Sequence, residues 1–273
     1  MEPRFVEAGG VRMRWEEVGE GTPVVFVHGI PTSPRLWRHV VPRVRGARSM
    51  AWEMVGYGAS ISEGRDRDIS VAMQAHYLAL WMREVGLGDG AVVVGHDLGG
   101  GVAQILAVRN PGLVRGVVLT NCISYDSWPI APVRAIGASG ALFRRMPDPV
   151  FRRFYAAFLR GGHDDRGRWR ESVSEHLPLY EGAGGAAEAL VRQARSLNVR
   201  DTLGVSAQVP RLDVPARLVW GVADGFQPIG YGYRLAYELG GSMQRIEGAK
   251  HFVPEDHPDE VAAAVNGLLQ EVS

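Results

Sequence analysis

The sequence predicts an α/β fold in which a mostly parallel sheet is flanked by helices and interrupted by one long helical insertion. Three observations carry that expectation. Short apolar runs alternate with helical patterns along most of the chain. Runs such as VVFV, AVVV and GVVL are continuous rather than alternating, as expected of strands covered on both faces. The alternation lapses between residues 127 and 212 and resumes at Arg217.

Taken in order, strands are predicted at residues 11–16, 24–27, 50–54, 91–94, 117–120, 217–220 and 243–246. Helices are predicted at residues 34–45, 70–85, 99–109, 231–239 and 258–270; in the last, Val261, Val265, Leu268 and Leu269 recur at helical spacing. The interruption holds two arginine-rich amphipathic segments, 149–159 and 187–200, separated by a polar loop over 161–170. A glycine cluster from Gly182 to Gly185 reads as a hinge-like break. The expected organisation is a core of residues 1–126 and 213–273 carrying a helical cap of residues 127–212.

Composition narrows the function. With 273 residues, 46% of them hydrophobic, the chain can bury a substantial core. Thirty basic residues balance thirty acidic ones, which argues against a nucleic-acid or membrane-surface partner. A single cysteine, Cys122, excludes an intramolecular disulfide and a multi-cysteine metal site. The first ten residues lack the apolar stretch of a secretory signal, and no uninterrupted apolar run reaches the roughly 18 residues of a membrane span. A soluble cytoplasmic protein is expected, with a homodimer left open.

The most informative stretch is AVVVGHDLGGGVAQILAV, residues 91–108. An apolar strand runs into Gly95-His96-Asp97-Leu98-Gly99 and a helix follows at once, the form Gly-x-nucleophile-x-Gly. Aspartate fills the nucleophile slot, and no Gly-x-Ser-x-Gly occurs elsewhere in the chain. The plainer use of Asp97 is as an N-cap of that helix. The companion turn His28-Gly29-Ile30-Pro31, directly after VVFV, weighs against it, because an oxyanion hole takes one amide from such a loop and one from the residue after the nucleophile. Those amides would be Ile30 and Leu98.

On these motifs the chain resembles α/β-hydrolases with an aspartate nucleophile, the group that includes epoxide hydrolases and haloalkane dehalogenases. The resemblance spans HGIPTSPRLWRHVVP, MVGYGAS, GHDLGGGVAQ, WGVADGFQP and EGAKHFVPEDHP, nearly the whole chain. It implies an eight-stranded, mostly parallel sheet under a helical lid, with no cofactor and no metal. Glu53 stands where relatives usually carry aspartate before the Gly-Tyr-Gly turn. The family histidine matches His251; a metal site with Asp256 and His257 is the rival use of that loop, but a proline-interrupted loop offers such ligands no supporting shell. The orienting acid is expected at Asp224, with Asp126 as the other candidate.

Residue type then constrains the reaction. A carboxylate is ionised at neutral pH and attacks saturated carbon without a base, giving an alkyl–enzyme ester. A neutral His251, held by its acid, would activate water against that ester. The expected substrate is therefore an epoxide or a halogenated carbon. The resemblance gives dehalogenases a tryptophan after the aspartate and often an asparagine after His-Gly, or in fluoroacetate dehalogenases His-Asp-Arg-Gly; here those places hold Leu98 and Ile30. An epoxide hydrolase uses lid tyrosines as the acid. The first choice is Tyr155, followed by Tyr180 and Tyr125, although the second lid tyrosine usual near Leu197-Asn198 is absent. His28, Trp37, Tyr125 and Tyr180 are expected to line an apolar substrate site. The expectation is an ether-bond hydrolase turning a small apolar epoxide and water into a vicinal diol. The alternatives are a haloalkane dehalogenase or a non-catalytic small-ligand binder on the same scaffold.

Overall fold

The computed structural model describes residues 1–181 and 185–272. Of the predicted hinge, Gly182 to Gly184 lie outside the described residues. Eight strands form one sheet: β1 (Glu2–Ala8), β2 (Val11–Val18), β3 (Thr22–Val27), β4 (Ala47–Trp52), β5 (Ala91–His96), β6 (Val114–Thr120), β7 (Ala216–Gly221) and β8 (Ser242–Ile246). Their order across the sheet is β1-β2-β4-β3-β5-β6-β7-β8. Strand β2 pairs antiparallel with β1 and β4, and every other pairing is parallel. Val24, Val25, Phe26, Val27, Val92 and Val93 are wholly buried, as continuous apolar strands between two helical layers should be.

The sequence expectation missed β1. This edge strand buries little, with Phe5 49% exposed, so it carries no apolar signature. The helix expected over residues 34–45 is instead two single turns, Pro34–Trp37 and Val41–Arg43, closed by i→i+3 bonds such as Arg38 N–H to the Arg35 carbonyl. Pro42 lacks the donor and the space that a continuous α-helix there would need. Between β6 and β7 the chain is helical, through Ala131–Ala138, Gly140–Phe143, Asp148–Gly162, Arg166–Glu181, Ala186–Ser196 and Arg200–Leu203. The expected polar loop over 161–170 is largely the start of the Arg166–Glu181 helix. That helix is polar on most faces and contains Pro178, so periodicity concealed it.

The topology creates the site. The chain crosses from β3 to β4 on one side and then back to β5 on the other, so β3 and β5 lie side by side where the winding direction reverses. Crevices at the carboxyl ends of strands form at such a switch point. Val27 of β3 pairs in register with Gly95 of β5, which brings the loop after Val27 beside the turn after His96.

Candidate active site

Asp97 occupies the bend between β5 and the helix Leu98–Arg109, at φ 52° and ψ −119°, a left-handed conformation uncommon for a non-glycine residue. Small neighbours make the bend feasible. A Cβ at Gly99 would stand 2.1 Å from the Val27 carbonyl oxygen, and one at Gly29 would stand 2.3 Å from Asp97 Oδ1. Asp97 occupies the N-cap position of the Leu98–Arg109 helix, but its side chain makes no capping bond, so it does not serve the plainer reading. Its Oδ1 instead accepts a hydrogen bond from the Ile30 amide at 3.0 Å. Its Oδ2 faces His251 Nε2 at 3.6 Å, beyond hydrogen-bond distance. Asp97 is 7% exposed, at the floor of a recess of about 350 Å³ that Leu98 and Ile30 also line.

His251 follows β8 and is 1% exposed. Its Nδ1 pairs with Asp224 Oδ2 at 2.8 Å. The amides of His251 and Phe252 donate to the Gly162 carbonyl, tying this loop to the end of the Asp148–Gly162 helix. Asp224 follows β7 and is held from three directions. Phe226 N–H donates to Oδ1 at 2.7 Å, while Asn121 Nδ2 and His251 both bond Oδ2, the former at 2.6 Å. Asp126, the other candidate acid, is exposed and accepts from the Tyr231 hydroxyl. The place after β6 is used instead by Asn121, whose Oδ1 also accepts from the Gly221 amide. Sequence reading missed Asn121. Only its position directly after a strand could have flagged it.

Charge distribution favours a protonated imidazole at rest. Burial pulls the His251 pKa down, but the Asp224 and Asp97 carboxylates outweigh it and leave it pushed up to about 10. This departs from the neutral histidine expected from sequence: while both carboxylates are ionised, the ring between them keeps its proton. Neighbouring His96, 4.6 Å away ring to ring, is driven the opposite way, to about 3, by burial and by the His251 charge.

The expected substrate-side residues fall elsewhere, because each has its own partner. His28 is wholly buried, its Nε2 accepting from the Met54 amide, and burial lowers its pKa to about 3; it supports the loop from below. Trp37 packs in the core against Phe26. Tyr125 donates to Glu238, and Tyr180 donates to Gln193 at 2.7 Å. Tyr155 donates to the Pro31 carbonyl at 2.7 Å, one residue from Ile30, and lines an adjoining apolar recess of about 280 Å³ rather than the one holding Asp97. Among the described residues, no tyrosine lines the Asp97 recess. Its walls include Trp128, Val133, Phe158, Leu197 and Phe226, with the Trp128 indole N–H committed to Thr202. Gln227 is the further polar side chain there, and sequence reading did not single it out.

Asp256 and His257 form no metal cluster. Asp256 pairs with His163 and His257 with Asp164, and no group of three or more candidate metal ligands occurs among the described residues. None of the described helices is long and apolar enough to cross a membrane.

Comparison with known proteins follows the same lines. Residues 24–264 match the model of the alpha/beta hydrolase family. Haloalkane dehalogenase 2 of Mycobacterium tuberculosis is 27% identical, covering 97% of this chain and 93% of that protein. Among solved structures, an alpha/beta hydrolase fold protein from Burkholderia ambifaria superposes with a TM-score of 0.86 at 25% identity, covering 96% of both chains. The epoxide hydrolase CorEH gives 0.80 at 21% identity, over 100% of this chain and 99% of its own, a likeness of fold alone. With a sheet ordered around the β3–β5 switch and a match over 24–264, the chain belongs to the alpha/beta hydrolase family.

Proposed function

We propose that this hydrolase opens an epoxide through a covalent ester on Asp97, under a cap formed by residues 127–212. The observation that carries the reading is the line Asp97–His251–Asp224, with Asp97 Oδ1 held by the Ile30 amide. Asp97 attacks a ring carbon through Oδ2, the carbon–oxygen bond breaks, and the oxygen takes a proton from the Tyr155 hydroxyl once that hydroxyl has left the Pro31 carbonyl. Esterification removes the Asp97 charge, so one of the two carboxylates raising the His251 pKa is gone. The imidazole can then give up its proton, which restores the Tyr155 phenol, and accept one from water. The 3.6 Å between Nε2 and Oδ2 leaves the two groups unbonded, which suits a base that must address water rather than the ester itself. Water attacks the ester carbonyl, and the Ile30 and Leu98 amides stabilise the resulting oxyanion, typically by a few kcal/mol per donor. Collapse releases the diol and restores the Asp97 carboxylate.

A second reading, haloalkane dehalogenation, is favoured by the full-length likeness to Haloalkane dehalogenase 2. Against it, neither Ile30 nor Leu98 offers a side-chain donor for a halide, and the Trp128 indole is already bonded. Against the first, Tyr155 must leave the Pro31 carbonyl before it can protonate anything in the Asp97 recess. The reactions separate by product: the purified protein is offered matched panels of terminal epoxides and chloroalkanes. Diol formation with no halide release supports the first reading. Halide release with no diol overturns it in favour of the second.

A further inference from the structure

The Asp97 recess is apolar on nearly every wall, yet among the described residues lining it is one amide side chain whose oxygen has no hydrogen-bond partner. Gln227 is 2% exposed and its side-chain oxygen is buried without a hydrogen-bond partner. It lies in the loop after β7 that also carries Asp224, and it lines the recess together with Asp97 and His251. The loop is held on both sides of it: Phe226 N–H bonds Asp224 Oδ1 at 2.7 Å, and the Trp220 indole N–H bonds the Gln227 carbonyl at 3.0 Å. The backbone is therefore fixed while the amide oxygen is left unsatisfied. Buried amides are ordinarily hydrogen-bonded, because leaving one unmade costs its full desolvation. A glutamine can turn its amide to present either donor or acceptor. Trp128 has a polar atom at the same wall but has spent it on Thr202, so among the described residues lining the recess Gln227 adds an uncommitted polar atom beside the Asp97–His251 pair.

We infer that Gln227 is a specificity-determining residue that binds a hydrogen-bonding substituent of the substrate, so the site takes an epoxide or halide bearing a hydroxyl or carbonyl group rather than a wholly apolar one. This rests on the ester chemistry of Asp97 but not on which leaving group departs. It changes the substrate class expected from sequence, where an apolar pocket implied an apolar substrate. A site holding an unsatisfied buried amide discriminates against a ligand that fills the space without bonding it.

The test uses two pairs of probes in which a hydroxyl replaces a methyl at nearly equal volume: glycidol against epoxybutane, and chlorobutanol against chloropentane. For the pair that is turned over, the wild-type protein is expected to favour the hydroxylated member in kcat/KM by about tenfold or more. In Gln227→Met, which keeps length and removes the amide, that ratio is expected to collapse toward one. The ratio is internal to each protein preparation, so partial loss of folded protein does not mimic the effect. Equal use of both members by the wild-type protein overturns the inference while leaving the Asp97 reading intact, as does an unchanged preference in Gln227→Met. Turnover of no probe in either pair overturns both.

Discussion

On the sheet side of the recess, Asp97 and Asn121 come directly after a strand and Asp224 and His251 lie in loops that follow one, and apart from the facing Asp97 Oδ2 and His251 Nε2 their polar side-chain atoms are bonded to one another or to backbone. On the helical side, Trp128, Val133, Phe158 and Leu197 come from scattered points along residues 127–212, and the polar groups nearby are bonded away from the cavity. The first arrangement supports a reaction; the second gives a shape. On the proposed mechanism the difference teaches that attack and hydrolysis would be set by the ends of parallel strands, while the choice of substrate would be left to the helical segment and to Gln227.

The sharpest break of that contrast is Asp97→Ala. If the sheet side carries the chemistry, turnover is expected to fall by about 10⁴-fold or more while the unfolding midpoint moves little, read from product formation and thermal denaturation. Residual activity near wild type would move the chemistry elsewhere.

The next variant asks how the helical side is fastened. Glu255, wholly buried beside the His251 loop, pairs with Arg38 and lies within 3.4 Å of His163 and His176, both in the helical segment. Glu255→Gln leaves Arg38 buried with half its compensation, and a loss of about 3 kcal/mol in urea denaturation is expected. Despite burial, which raises it, hydrogen bonding to His163 and His176 and the charge of Arg38 hold the Glu255 pKa well below its ordinary 4.5. A depressed carboxyl pKa stabilises the fold fully above that value and progressively less as pH falls beneath it. The wild-type protein is therefore expected to lose stability on acidification below about pH 4.5 more steeply than the variant.

A smaller effect is expected at Asn121, which lies outside the residues lining the recess and holds Asp224. Asn121→Ala should lower kcat by about 10- to 100-fold with KM nearly unchanged, since it loosens the acid that orients the base. A rise in KM alone would place Asn121 in substrate binding instead. The smallest effect is electrostatic. In the free protein the His251 ring should remain protonated beyond pH 8, followed by its NMR shifts, and Asp97→Asn should lower the titration by removing one of the two carboxylates.

The same contrast explains what could be read in the sequence. Seven of the eight strands, the Asp97 bend and the His251 loop were legible because each is local: an apolar run followed at once by small or polar residues. The Asn121–Asp224 bond was not, because it joins residues 103 apart through neighbouring strand ends. Helix Arg166–Glu181 was hidden because the core contacts of Trp169, Val173, Leu177 and Tyr180 are interspersed with charged residues, of which Glu171 pairs with Arg38 and Glu175 with Arg35, and with Pro178. The tyrosines were misjudged for a related reason. A phenol reads identically in sequence whether its hydroxyl faces substrate, a glutamine or a backbone carbonyl.

The central claim is that Asp97 becomes esterified and His251 is needed to release it. A His251→Gln protein is exposed to an epoxide and to a chloroalkane, digested, and weighed by mass spectrometry. The peptide carrying Asp97 is expected to be heavier by the added alkyl group and to persist unhydrolysed. An unmodified Asp97 peptide, with probe binding shown separately, or the added mass on another residue, would contradict the account.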